Sequence, residues 1–323
     1  MIKRTQNHVA ESRFTLPVVV LYAIAVWLAS GLLIPSVPIT SEGLWKGAWV
    51  QFVCFFVSAY VMVELNNSNA LIRIYSRTVS CSFIVLLCAG CFLFGSMGGA
   101  ITQLCVVASY ALAFRSYQDK QSMGWIYYAF LCVGLASSVF VQVLFYVPFL
   151  WAMMFFQLTS LCWRTFFASI LGLLTPYWFA LPVLLYKGEP DVLVQHFVAL
   201  ADFVFPFDYA QLTVNELLLF VLVVVLGITG TIHYWRKQSS DSIRTRLFYS
   251  CFIQMWLLTV IFLVLQPQHY DMLIRILIIN VSPLIAHFLS LTYTRITNIA
   301  FYVICSVAVL LMLFSLWMPS FSF

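Results

Sequence analysis

Leu217-Leu218-Leu219-Phe220-Val221-Leu222-Val223-Val224-Val225-Leu226 is ten consecutive residues without one polar side chain. A half-buried strand alternates apolar and polar residues, and transmembrane barrels spread weak alternation over segments of about ten residues. This run does neither. It reads as part of a helix surrounded by hydrocarbon on every side, and similar runs recur along the chain at 16–34, 47–65, 79–95, 99–114, 122–137, 139–157, 165–186, 247–265, 271–289 and 297–317. A crossing takes about 20 apolar residues, fewer where the helix is broken or the bilayer thins.

Composition agrees. Of 323 residues 63% are hydrophobic and 8% charged, against about 25% charged in a soluble domain that must cover its surface. The expected fold is all-α, a polytopic transmembrane helical bundle forming a single transmembrane domain over 1–323. The basic start (Lys3, Arg4, Arg13) before the apolar stretch from Leu16 to Ile34 resembles a signal peptide in order. Its apolar core is longer than a signal core, and the stretch reads as a retained first span.

The basic residues give the topology. With the N-terminus inside, eleven spans put Lys3, Arg4, Arg13, Arg73, Arg77, Arg115, Lys120, Arg164, Arg236, Lys237, Arg244, Arg246 and Arg295 on the inner side, and leave Lys46, Lys187 and Arg275 outside. Inner loops of membrane proteins carry such an excess of Lys and Arg. The stretch 122–157 is the weakest division, too long for one straight helix and barely enough for two, with Ser137-Ser138 as the turn. Read as one span, it would put the Arg236–Arg246 cluster outside. The expectation is therefore about eleven spans, N-terminus in and C-terminus out. The scattered cations form no stripe for nucleic acid.

The richest outer segment, 187–213, carries Glu189, Asp191, Asp202 and Asp208 against Lys187. Asp191, Gln195 and Asp202 share one face of a helix that Pro190 opens and Pro206 ends, so the segment reads as an interfacial or re-entrant helix. In a functional reading Asp202 and Asp208 are the candidate catalytic carboxylates, with His196 offered to a substrate; in the plainer reading the helix only orients its neighbours.

Two spans contain prolines. Pro176 and Pro283 each remove a backbone donor, freeing the carbonyls of Gly172 and Ile279, and a kink is expected at both. The span 271–289 also holds Arg275, Asn280, Ser282 and His287. Ionisable groups within a span are expensive and point to function. Arg275 and Asn280 are therefore candidate substrate-binding residues. Arg275 meets either a substrate phosphate or one of Asp202, Asp208 and the neighbouring Asp271. Glu64 with Arg73 or Arg77 forms a structural pair, or the arginines contact a lipid phosphate.

No nucleotide, metalloprotease or serine-hydrolase signature occurs. The nine cysteines lie in or beside apolar runs, and the single CxxC pair, Cys88 and Cys91, falls mid-span. They read as small buried hydrophobes. No cofactor and no metal is expected. The GxxxG of Gly95 and Gly99 falls across a predicted outer turn.

The stretches ELNN at 64–67, LIRIYSRT at 71–78, GLLTPYWFALP at 172–182 and NVSPLIAHFLS at 280–290 resemble a family of uncharacterised multi-pass inner-membrane proteins of Bacteroidota. That resemblance implies a cell inner-membrane location and about eleven spans; it implies no activity. Two function classes stay open. One is a protein handling lipid-linked glycans or other envelope precursors, drawing on the outer acids, Arg275 and the aromatic content of 17%. The other is a transporter, flippase or non-catalytic subunit of a membrane complex. Membrane lipids are expected partners in both, with a lipid-linked substrate or a membrane protein beside them.

Overall fold

A computed structural model describes residues 5–33, 42–201, 209 and 212–317, the side chains of 42–47 excepted. Among these residues the chain forms thirteen α-helices and no strand. In order they are α1 (Thr5–Glu11), α2 (Thr15–Leu33), α3 (Glu42–Asn69), α4 (Thr78–Ala89), α5 (Met97–Ala113), α6 (Met123–Val139), α7 (Val147–Phe156), α8 (Trp163–Lys187), α9 (Asp191–Val198), α10 (Val214–Lys237), α11 (Ile243–Leu265), α12 (Tyr270–Ser290) and α13 (Arg295–Trp317). Eight of them, α2, α3, α5, α8, α10, α11, α12 and α13, are long and apolar enough to cross a membrane. Four shorter apolar pieces, α4, α6, the stretch Val141–Phe156 and the stretch Asp191–Ala201, lie between them.

The bundle is organised around α12. Every residue from Leu273 to His287 is buried, and α10, α11, α4 and α5 pack against it. Neighbouring helices therefore enclose α12 on every side through most of its length. The polar residues of α12 tolerate that position because they bond their own helix. Asn280 Nδ2 donates to the Ile276 carbonyl at 2.8 Å, and Ser282 Oγ to that of Ile278 at 2.6 Å. By contrast α8 buries only Thr165, Ser169 and Gly172, and presents Trp163, Phe167, Leu171, Trp178 and Phe179 outward.

Contacts between connecting segments sort them into two ends. At one end Arg244 donates to Asn69 Oδ1 at 3.0 Å and lies over the Tyr117 ring. There the Gln118 N–H also donates to the Leu158 carbonyl at 2.8 Å. In the same region α1 is tied to the start of the last connection: Gln6 donates to the Leu289 carbonyl and, at 2.8 Å, to Thr292 Oγ1. At the other end His196 Nε2 pairs with the Ser137 carbonyl at 2.9 Å, Gln142 with His269 at 3.0 Å, and Tyr209 Oη donates to the Val264 carbonyl at 2.8 Å. Most of the described Lys and Arg residues belong to the first, basic end.

The region 122–157 reverses direction. Helices α6 and α8 run parallel: Tyr127 Oη meets Thr175 Oγ1 at 3.1 Å, and ten residues further on Ser137 Oγ meets Tyr177 Oη at 2.7 Å. They pack closely because neither glycine at the crossing has a side chain. A Cβ on Gly134 would lie 2.7 Å from the Leu173 carbonyl oxygen, and one on Gly172 would strike that of Tyr127. Between these parallel helices, 141–156 returns to the basic end, where Ser116 Oγ meets Ser160 Oγ. The turn comes at Phe140, whose backbone is extended, rather than at Ser137-Ser138. Those serines stay helical, with their hydroxyls donating to the carbonyls of Gly134 and Leu135 three residues back.

Neither proline breaks its helix. α8 continues through Pro176 and Pro182, and α12 through Pro283. Thr175 Oγ1 donates to the Leu171 carbonyl at 2.6 Å, Pro176 packs at the Gly134 crossing, and Tyr249 Oη donates to the Pro283 carbonyl at 3.4 Å. Neighbouring side chains support both segments, as is usual in membrane helices.

Candidate functional site

Asp202 and Asp208, the candidate carboxylates of the outer segment, lie outside the described residues. Asp191 begins α9, a short helix with no buried residue. His196 is held by the Ser137 carbonyl and lies beside Tyr177 and Phe197, with ring centroids at 6.2 and 5.8 Å. Asn280 is fully buried within the bundle, far along α12 from the outer segment. Of the described candidates, His196 and Asn280 are not brought to one place.

Arg275 is enclosed. Its side chain is 3% exposed. Its guanidinium lies 3.3 Å from Asp271 Oδ1, donates to Gln103 Oε1 at 3.3 Å and bonds the Leu93 carbonyl. The chain makes room with Gly99, where a Cβ would stand 2.5 Å from Arg275 Nε and 2.7 Å from Asp271 Oδ2. Gly99 thus serves this close approach, and Ser96 between the two glycines caps α5 by accepting from the Gly99 N–H at 3.1 Å. The anion that Arg275 meets is its own i−4 neighbour. Here it ties α12 to α5 and to the carbonyl of Leu93.

The basic end carries a second buried ionic group. Asp241, in the turn between α10 and α11, has a side chain 1% exposed and accepts from His287 Nε2 at 3.0 Å. Arg73, from the α3–α4 connection, reaches the other Asp241 oxygen with Nε at 3.0 Å and donates from Nη1 to the Ser240 carbonyl at 3.1 Å. One carboxylate therefore fastens two connections to the C-terminal part of α12. The His287 ring sits among Tyr249, His233 and Tyr234, with centroids at 5.0, 5.3 and 5.7 Å. His287 Nδ1 and His233 Nε2 are buried with no partner. Among the described residues no three His, Cys, Asp or Glu side chains gather as a metal site. Cys91 Sγ donates to the Cys88 carbonyl at 3.0 Å, and both thiols are free and buried.

Beside this group the α10–α11 surface opens into a cleft of about 600 Å³. Its walls include Tyr234 and Trp235 from α10, Gln238 just past its end, and Arg246, Ser250 and Gln254 from α11. Arg246 faces no carboxylate among the described residues, and its Nε is buried without a partner. Elsewhere in the bundle Glu64 stands 3.8 Å from Arg115, while Arg77 rests on the Tyr75 ring.

Sequence reasoning ascribed the Arg236–Arg246 cluster to topology and passed over Asp241. The available signal was a lone acid between Arg236, Lys237, Arg244 and Arg246. An acid kept in so basic a turn has a partner to hold.

Comparison with known proteins finds no matching family model, no similar curated protein and no similar solved structure. The chemistry of these sites is therefore the whole basis for a functional reading.

Proposed function

We propose that the chain is an eleven-span protein of the cell inner membrane, N-terminus in and C-terminus out, that handles an anionic lipid-borne envelope precursor such as a lipid-linked glycan. The cleft between α10 and α11 carries this reading. It joins an arginine without a carboxylate partner, Gln238 and Trp235 at the basic end of two apolar helices, with Gln254 deeper along α11. An arginine beside an aromatic residue at a membrane boundary suits a phosphate head group.

The eleven-span count rests on length and direction. Helix α4 rises about 18 Å at 1.5 Å per residue, and the following 3₁₀ turn, Cys91–Gly95, adds roughly 10 Å at 2.0 Å per residue. The stretch Val141–Phe156 reaches about 27 Å in the same way, and α6 about 26 Å. All three approach the ~30 Å hydrocarbon core, and their ends alternate between the two groups of connections. The excess of cations at one end supports placing it inside.

The transporter or flippase reading is less supported. On α12 the Asn280 amide nitrogen and Ser282 bond their own helix and Arg275 bonds Asp271 and Gln103, while Asn280 Oδ1 and His287 Nδ1 are buried rather than open to a cleft. The lightly packed faces of α8 and α13 favour the non-catalytic subunit as a second reading, because lipid or a partner subunit must cover them.

The test is binding of phosphatidic acid to the purified full-length protein by native mass spectrometry. Arg246→Ala should lower occupancy about tenfold, equivalent to ~1.4 kcal/mol, without lowering the melting temperature. Unchanged occupancy removes the cleft reading.

A further inference from the structure

Arg246, Ser250 and Gln254 follow one another at four-residue spacing on α11, so they form a row along one face. At 1.5 Å per residue Gln254 lies about 12 Å deeper than Arg246 and about 17 Å from the start of the helix, near the middle of a ~30 Å hydrocarbon core. Gln254 is nonetheless exposed and lines the cleft. Neither its amide nor the Ser250 hydroxyl bonds another described residue. A polar side chain facing hydrocarbon at that depth is costly and calls for a hydrogen-bonding partner. Below Gln254 the outward positions are Leu257, Ile261 and Val264, so the polar row stops halfway. It describes a pocket that is closed at its deep end to polar groups and has a cation at its mouth.

We infer that this pocket takes an anionic amphiphile whose acyl chain carries its own hydroxyl or amide, with the phosphate at Arg246 and the chain's polar group at Gln254. The inference rests on the cleft reading above and narrows it to a class of lipid. An ordinary diacyl phosphate ends its polarity at the ester carbonyls, near the level of Ser250, and leaves Gln254 unanswered. A hydroxyl a few bonds down the chain reaches it. A partner helix is the competing occupant; the arginine at the mouth, whose Nε is buried without a partner, favours an occupant that brings an anion.

The experiment compares two probes, diacylglucosamine 1-phosphate with 3-hydroxyacyl chains and the same compound with unsubstituted chains. Both are titrated into the full-length protein in detergent and read by native mass spectrometry. The wild type is expected to bind the hydroxylated probe about tenfold more tightly. Gln254→Leu should erase the difference by weakening the hydroxylated probe alone, and Arg246→Ala should weaken both. Equal affinity of the wild type for the two probes overturns the inference. So does an unchanged preference in Gln254→Leu, while the cleft reading survives if Arg246→Ala still weakens binding. If Arg246→Ala changes neither probe, the cleft reading itself falls. A photo-cross-linker at position 254 that captures another membrane protein instead of the probe would assign the row to a partner helix and overturn the inference in that way. Melting temperatures of both variants within about 2 °C of wild type establish that they are folded.

Discussion

Replacing Asp241 with alanine should loosen the basic end more than any other single charge removal there. Asp241 holds two partners of different standing. The Arg73 side chain is 42% exposed, so water screens its charge and its loss matters little, well under about 1 kcal/mol. His287 is fully enclosed and its Nδ1 already lacks a partner. Removing the carboxylate leaves both ring nitrogens buried and unanswered. An orphaned buried polar group costs about 1–3 kcal/mol, and the small cavity left by the side chain adds roughly 1 kcal/mol. The sum is about 3 kcal/mol. At the ~2 °C per kcal/mol appropriate to a long chain, Asp241→Ala should lower the melting temperature in detergent by about 6 °C. Asp241→Asn keeps an acceptor for His287 and should cost about a third as much, while Arg73→Ala should move the midpoint by less than ~2 °C. Tryptophan fluorescence during a thermal ramp measures all three. If Asp241→Ala melts within 1 °C of wild type, or if Arg73→Ala costs as much as Asp241→Ala, the buried histidine contact is not what holds this end and the reasoning fails.

Two further substitutions test the packing and the topology. Gly99→Val should destabilise the bundle by driving a side chain into Arg275 and Asp271, and Arg275→Met in the same chain should recover part of the loss. A buried ion pair replaced by an apolar residue is often neutral, so melting temperatures that add without recovery would contradict the close approach. Cys162 sits just ahead of α8 at the basic end, where the Thr165 hydroxyl and then the Thr165 N–H hold its thiol below the ordinary thiol range. It should react with a membrane-impermeant maleimide near neutral pH in inverted vesicles and not in right-side-out ones. Thr165→Val should shift half-labelling to higher pH, since the thiolate is the reactive form and is less favoured there. Labelling from the opposite side would reverse the orientation, and an unshifted profile would remove the Thr165 contribution.

The helices were legible in the sequence because their signal is local. A run such as Leu217–Leu226 needs no partner to be read, and 47–65, 165–186 and 271–289 lie within α3, α8 and α12. The reversal inside 122–157 was legible only as a question of length. Hydropathy does not register that Ser137 and Ser138 stay helical and that the backbone first becomes extended at Phe140. Arg275 stood out as an ionisable residue in a span, and Asp271 was visible as its i−4 neighbour. Gln103 and the Leu93 carbonyl come from 172 and 182 residues away. Those partners separate a substrate-binding arginine from an enclosed one. The Asp241 group was hidden for the same reason, being assembled from residues 73, 241 and 287.

What the fold adds is a division between polar groups that are answered and those that are not. Along α12 the arginine meets Asp271, the Asn280 amide nitrogen meets Ile276 and Ser282 meets Ile278. The most buried helix therefore carries its polarity enclosed, with Asn280 Oδ1 and His287 Nδ1 left unanswered inside the bundle. A pathway through the centre would need those groups turned toward water or substrate, at the cost of the bonds that let α12 be buried at all. On α11, by contrast, the half-buried Arg246 and Ser250 and the exposed Gln254 line a cleft, and their side chains find no hydrogen-bond partner among the described residues. Polar groups that the bundle does not satisfy, placed where lipid has direct access, support the proposed binding of a bilayer amphiphile. That placement favours a protein that receives an amphiphile from the side over one that conducts a solute along its axis.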